Sequence, residues 1–370
     1  MKRQLSFSIL ALLAATAAAS SGPTQTAQES PYASILFARA NIDPRTGQAL
    51  QSSLFRINPA GGTVVQLTPA IANPEYDEGR WSPSGSSIVY AHYGPAYPQL
   101  SIVDRQGGSK RRITWGDYPH KQPAWGPLGS IAFVIDRDTG QGNPYEEGCL
   151  SVVAASGGAQ HDLFCPPFRS DLRTVLYTST PQWSADGKSI YIVVSALQAG
   201  LDPTFLDERI YRVNATTGAS AKITEQKLDN HVSIAPDGNH VVFAGAPITV
   251  VDLRTGARKT LAATGDDVRY SKDGCRIAFV QRNSPINTQF FGTVFVMNAD
   301  GSDVRRAITR PDPSARYAIA DWSPDGSRLL VNKAVNDQVN DQMLQIVNLT
   351  THTATTLTRG SASEGAWYEP

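Results

Sequence analysis

The residues best placed to do chemistry stand three positions ahead of a recurring aromatic or aliphatic residue: Glu78, Gln122, Thr180, His231, Asp267, Ile319 and Glu364, with His120 two positions before Gln122. Acids, an amide and imidazoles brought from separate parts of a chain to one narrow axis make a site for a divalent cation or for the basic group of a ligand. Carboxylate and neutral imidazole are metal donors, and carboxylate also pairs with ammonium or guanidinium. The same residue types also suit a hydrated channel mouth that binds nothing. Arg80 and Arg269, one residue ahead of the repeated position, can neutralise the acids there. Glu78 and Glu364 are in addition a candidate general acid and base for glycoside hydrolysis. Other catalytic signatures are absent from the sequence: it has no G-x-S-x-G elbow, no H-E-x-x-H pair, no phosphate-binding loop and no dinucleotide-binding glycine pattern.

Convergence on an axis requires repeated elements, and two independent repeats run through the chain. One is a residue, most often aromatic, followed by a tight turn, as in Trp81-Ser82-Pro83-Ser84-Gly85, Trp183-Ser184-Ala185-Asp186-Gly187 and Trp322-Ser323-Pro324-Asp325-Gly326, with a last truncated copy at Trp367-Tyr368. Proline presets φ, Asp or Ser caps the turn, and glycine supplies the positive φ that returns the chain to the sheet. An apolar strand follows each complete copy. The second series is Asn58, Asp104, Ala154, Asn214, Asp252, Asn298 and Asn348, each closing one strand and opening a turn to another that commonly ends in Leu-Thr or Ile-Thr. Both series count seven. Four short strands in a period of about 48 residues predict an all-β, seven-bladed β-propeller of four-stranded antiparallel blades, with six blades as the alternative. Closure is expected by pairing the strand around Trp367 with the amino-terminal strands from Ser34, which removes both loose edges.

The Trp-Ser-Pro-Asp-Gly turns and the segment from Val296 to Thr309 resemble the repeats of the TolB carboxy-terminal propeller, a WD-like repeat family of the bacterial envelope. The resemblance covers Ser34 to Pro370. It implies a binding or scaffold role and departs from TolB in lacking room for the amino-terminal α/β domain. A second resemblance, to seven-bladed oligogalacturonate lyases that hold a metal through histidines and a glutamine, implies a rival carbohydrate-lyase reading with His120, Gln122 and His231 as the matching residues. The third histidine of that set is missing.

In such blades the first-to-second and third-to-fourth strand connections share one face and are short here. The other connections are long, varied and rich in aromatic residues such as Tyr97, Trp115, Tyr118 and Phe205. That long-loop face is therefore the expected surface for a protein or peptide, with carbohydrate as the alternative. Cys149 and Cys165 lie symmetrically about residue 157 of one hairpin and are a candidate disulfide; Cys275 reads as a small buried hydrophobe.

Residues 1–20 read as a secretory signal peptide and 21–31 as a disordered leader, leaving 32–370 as one domain of a periplasmic or secreted protein with no transmembrane segment after processing. The 370 residues carry 33 basic and 33 acidic side chains. Removing Lys2 and Arg3 leaves a slight acidic excess, which argues against a nucleic-acid partner. No cofactor is required by the sequence, a divalent cation at the channel mouth being the one candidate, and a monomer is expected.

Overall fold

The computed structural model describes residues 33–43, 45, 49–72, 79–93, 97–137, 147–166, 174–178, 181–198, 204–223, 229–261, 263–282, 292–335, 342–360 and 362–368, and gives each repeated motif one backbone task. In blade 7 the buried Ser323 hydroxyl donates to Asp325 (2.5 Å) and accepts from the Arg328 amide (2.9 Å), while the Asp325 carboxylate accepts from Ser327 N (3.0 Å). Blades 4 and 6 repeat this with Ser184 and Asp186 (2.7 Å) and with Ser271 and Asp273 (2.5 Å). Gly326 has φ +66°, and a Cβ there would meet the Arg276 guanidinium of the preceding blade, so the glycine serves both the turn and the packing of neighbours. The second series makes Asx turns: Asn58, Asn214 and Asn348 each accept an amide two residues on, at 2.8, 2.9 and 2.9 Å.

The strands assemble into seven antiparallel sheets in a ring, a seven-bladed β-propeller, and the six-bladed alternative is excluded. The innermost strands are Arg80–Trp81, His120–Trp125, Gln182–Trp183, Asp229–Ile234, Asp266–Tyr270, Ala315–Trp322 and Ala362–Tyr368, in blades 2 to 7 and then blade 1. The last of these pairs with Ser34–Ile42, Ile35 facing Trp367, so one carboxy-terminal strand closes a blade whose other strands come from the amino-terminal side. Among the described residues there is no helix, and none long and apolar enough to cross a membrane.

The core lies between blades. Ile35, Phe37 and Ile57 of blade 1 pack on Leu330, Leu344 and Ile346 of blade 7, and each other junction has a comparable apolar cluster. The threonines of the Leu-Thr and Ile-Thr endings have a structural use: the Thr68 and Thr114 hydroxyls, both buried, accept from Leu54 N (2.9 Å) and Leu100 N (2.8 Å) of the strand beside them.

Two sequence expectations need correction. Cys275 is exposed, because it follows the turn glycine and its amide is held outward by the Asp273 carboxylate (3.0 Å). Phe205, expected in a long connection, belongs to the strand Thr204–Asn214, which pairs with Ser189–Gln198; Ser189–Gln198 also pairs with Thr174–Thr178, which gives blade 4 an interrupted inner edge.

Candidate functional site

In blades 3, 6 and 1 the polar position ahead of the repeated residue sits on a β-bulge. In blade 3, Gln122 and Pro123 together oppose the single Phe133; in blade 6, Asp267 and Val268 oppose Phe279; in blade 1, Glu364 and Gly365 oppose Phe37. Gln122 and Asp267 take φ values of +54° and +49°, a left-handed conformation that non-glycine residues rarely adopt. A bulge re-aims the side chain it carries, so the same local irregularity sets the direction of these residues around the axis. The sequence held a sign of it in Pro123 and Gly365, residue types that mark bulges inside strands.

The structure brings few of the expected residues together. Glu78 and Thr180 lie outside the described residues, as do the side chains of His231 and Glu364. Asp267 accepts the amide of Ile319 in the next blade. His120 is fully buried and stacks on Phe133 (5.3 Å between centroids), with Nδ1 2.8 Å from Tyr118 O and Nε2 3.1 Å from Gln160 Oε1. Both ring nitrogens are thus used inside the protein, and the imidazole lies within blade 3 instead of at the mouth. Gln122 keeps a buried Oε1 that no described group satisfies. Ile319 is buried and apolar. Among the described residues no three His, Cys, Asp or Glu side chains converge as a metal site.

Much of the polar chemistry along the inner strands instead holds the ring together. The side chains of Gln182, Ser233 and Asp321, one position before the repeated residue, accept the backbone amides of Ile234 (3.1 Å), Tyr270 (3.1 Å) and Trp367 (2.8 Å) in the following blade. Indole N–H groups bond in the reverse direction, Trp183 to Ala124 O (3.0 Å) and Trp322 to Arg269 O (3.1 Å). Buried Asp321 also takes its own Trp322 amide (2.8 Å) and the Lys272 ammonium (2.7 Å). These bonds cross blade junctions where no sheet ladder does, so each removes a buried polar group that would otherwise cost stability.

The long-loop face is visible best at blade 2. There Tyr97 (43% exposed) precedes the strand Pro98–Asp104, and Trp115 (55% exposed) follows the strand Lys110–Arg112 by a short extension. Buried Gln99 straps the intervening chain: its amide donates to Gly116 O and Tyr118 O, both at 3.1 Å, and its carbonyl accepts from the Thr114 hydroxyl (3.1 Å). The Arg112 guanidinium stacks on Trp115 at 5.9 Å. Trp115 is therefore presented to solvent from a connection whose backbone is bonded to Gln99, and Tyr97 is exposed two residues ahead of that glutamine. In the adjacent blade the Cys149–Cys165 disulfide, with Cα atoms 4.3 Å apart, ties the roots of two long connections at the same end.

The opposite, tight-turn face carries a cavity that the sequence reading overlooked. It measures about 480 Å³ and lies between blades 5 and 6, bordered by His240, Tyr270, Asp237, Asp252, Asp273 and Asp300.

With this geometry in view, comparison with known proteins is informative about architecture. No protein-family profile and no curated protein matches the sequence. Solved structures do. An oligogalacturonate lyase in complex with manganese superposes with a TM-score of 0.59 at 17% identity, over 88% of this chain and 84% of its own. Puromycin hydrolase gives a TM-score of 0.64 at 15% identity over 88% of this chain, which spans about half (52%) of that protein. TolB from Acinetobacter baumannii matches at 17% identity over 90% of this chain and 82% of its own, with a TM-score of 0.49. What the lyase and the hydrolase share with this chain is the fold. Their differing names show that the propeller scaffold alone does not choose an activity.

Proposed function

We propose that this chain is an exported, TolB-like propeller that serves as a protein- or peptide-binding module of the cell envelope, using its long-loop face and channel mouth. The observation that carries the reading is the exposed Trp115 of blade 2, whose connection is strapped by Gln99 and which Arg112 flanks, with the exposed Tyr97 in the same blade. Aromatic and arginine side chains held in place before binding are the usual energetic centres of protein interfaces, because they bury large areas with little loss of rotamer freedom. The disulfide between Cys149 and Cys165 agrees with the signal-peptide reading of residues 1–20, since such bonds persist in oxidising compartments.

The carbohydrate-lyase reading would take a metal at His120, Gln122 and His231. His120 does not fit that role: it is enclosed, and its two nitrogens already face Tyr118 O and Gln160 Oε1. The test is affinity capture from an envelope extract with the wild-type propeller and with Trp115→Ala. The reading expects one specifically retained protein that the variant releases, whereas turnover on a uronide or glycoside panel that is lost in His231→Ala would replace it with the enzyme.

A further inference from the structure

The cavity between blades 5 and 6 has an internal reference. At two neighbouring junctions the residue six positions after the repeated residue of one blade covers the repeated aromatic of the next: Arg276 lies 5.3 Å over Trp322, and Arg328 lies 4.7 Å over Trp367. At the junction of blades 5 and 6 the same two positions are His240 and Tyr270, and both line the 480 Å³ cavity. A shorter side chain replaces arginine and a smaller ring replaces tryptophan. The exchange opens part of that space, where the next two junctions place a guanidinium over an indole.

The walls match what is missing. Val250, Ala299 and Tyr270 supply an apolar side, and Asp237, Asp252, Asp273 and Asp300 surround it. All four carboxylates are turn caps held below the usual carboxylate range. The Arg254 side chain and backbone amide lower Asp252 to about 2. Hydroxyl bonds from Ser271 and Ser302 lower Asp273 and Asp300. For Asp237 burial works in the opposite direction, but bonds from Asn239 and His240 outweigh it. Four anions therefore persist at neutral pH. The cations on the lining are Arg258 and Lys259, the latter donating to Asp300 O at 2.8 Å, while His240 Nδ1 is 2.7 Å from Asp237. Arg254 pairs with Asp252 at 3.2 Å on the rim.

We propose that this cavity binds an alkyl guanidinium group, carried either by a small molecule or by an arginine of a peptide, with the cation over Tyr270 and its N–H groups toward the aspartates. Guanidinium is suited to such a place because it stacks on an aromatic face and bonds carboxylates in its own plane, with a weaker hydration shell to lose than ammonium has.

The experiment is isothermal titration of the full protein with agmatine, with its neutral analogue N-butylurea, and with acetyl-Ala-Arg-Ala-amide against the same peptide carrying citrulline. Three variants accompany it: Asp237→Asn, Asp300→Asn, and the double change His240→Arg with Tyr270→Trp, which rebuilds the neighbouring plug. Near-UV circular dichroism establishes that each remains folded. Saturable binding of agmatine or the arginine peptide, at least about tenfold weaker for the neutral analogues and in the double variant, is the expected result. Binding about tenfold tighter for the peptide assigns the group to a partner protein, and comparable binding assigns it to a free small molecule. The proposal is overturned by no saturation with either cation, by equal binding of the neutral analogues, or by an unchanged affinity in the double variant. The last result would place the binding outside this cavity.

Discussion

The junctions between blades 6 and 7 and between blades 5 and 6 are built on one template and differ at a few side chains. In the first, Arg276 is sandwiched between the Trp322 ring and the backbone of Gly326, and Trp322 is fully buried with its indole N–H on Arg269 O. In the second, His240 is drawn aside to Asp237, Ala235 replaces the turn serine, and a cavity remains. The comparison separates what the ring needs from what it can spare. Apolar strand packing is common to the junctions, whereas the outer plug of arginine on the next blade's tryptophan stands at the junctions of blades 6 and 7 and of blades 7 and 1, and the junction of blades 5 and 6 leaves a cavity instead.

The comparison predicts unequal responses to truncation. Trp322→Ala should cost about 3–5 kcal/mol, the usual range for a large buried aromatic, and Tyr270→Ala at least about 1 kcal/mol less because its ring already borders open space. Urea midpoints at unchanged slope measure both. Equal losses would mean that the two junctions are energetically alike and the cavity is incidental.

Next in size is the disulfide on the opposite face. Cys149 and Cys165 are 16 positions apart, a loop whose closure accounts for about 3 kcal/mol in the chain-entropy view. Replacing both by serine should lower stability by that order while leaving the cavity's ligand affinity unchanged. A loss of cavity binding in that variant would show that the two faces are coupled.

Filling the cavity should have the reverse sign. His240→Arg with Tyr270→Trp is expected to stabilise the fold by about 0.5–2 kcal/mol, the value of a cation on an aromatic face, seen as a higher thermal midpoint. A lower midpoint would mean that the blade 5 turn does not accept the arginine geometry found in blades 6 and 7.

The smallest effects are those of pH. Asp273 and Asp325 have folded values lowered by turn bonds, from the Ser271 hydroxyl for the first and, against an opposing burial, from Ser323 and Ser327 for the second. Groups lowered on folding stabilise fully above the ordinary carboxylate value near 3.9 and lose that contribution as pH falls through the folded value, so the thermal midpoint should drop as pH falls below about 4. His92 is lowered by burial and then by the charges of Arg112 and Lys110. Its unfolded form takes a proton more readily, so it subtracts a little stability below about pH 6.5, and His92→Gln should flatten that part of the profile.

The fold was legible because its signals repeat. Trp322-Ser323-Pro324-Asp325-Gly326 and Asn348 each encode a local turn, and local chemistry recurring seven times leaves one architecture that also pairs Trp367 with Ile35. The candidate sites were less legible because they depend on departures from the repeat. His120 lies close in sequence to Gln122, but its imidazole is buried against Phe133 with both nitrogens on protein groups, contacts that spacing alone does not record. The cavity was hidden because His240 and Tyr270 look like ordinary members of their strands. The strapping role of Gln99 depends on contacts with residues 114–118, which no periodicity records.

The central claim is that the long-loop face takes the protein partner and the tight-turn cavity is a separate site. Affinity capture run in parallel with Trp115→Ala and with the His240→Arg, Tyr270→Trp double variant tests it most directly. The account predicts that the first loses the retained protein by about thirtyfold or more in affinity, the scale of an interface hot spot, and that the second keeps it. Retention by Trp115→Ala together with loss in the plugged variant would contradict it and move the protein interface to the junction of blades 5 and 6.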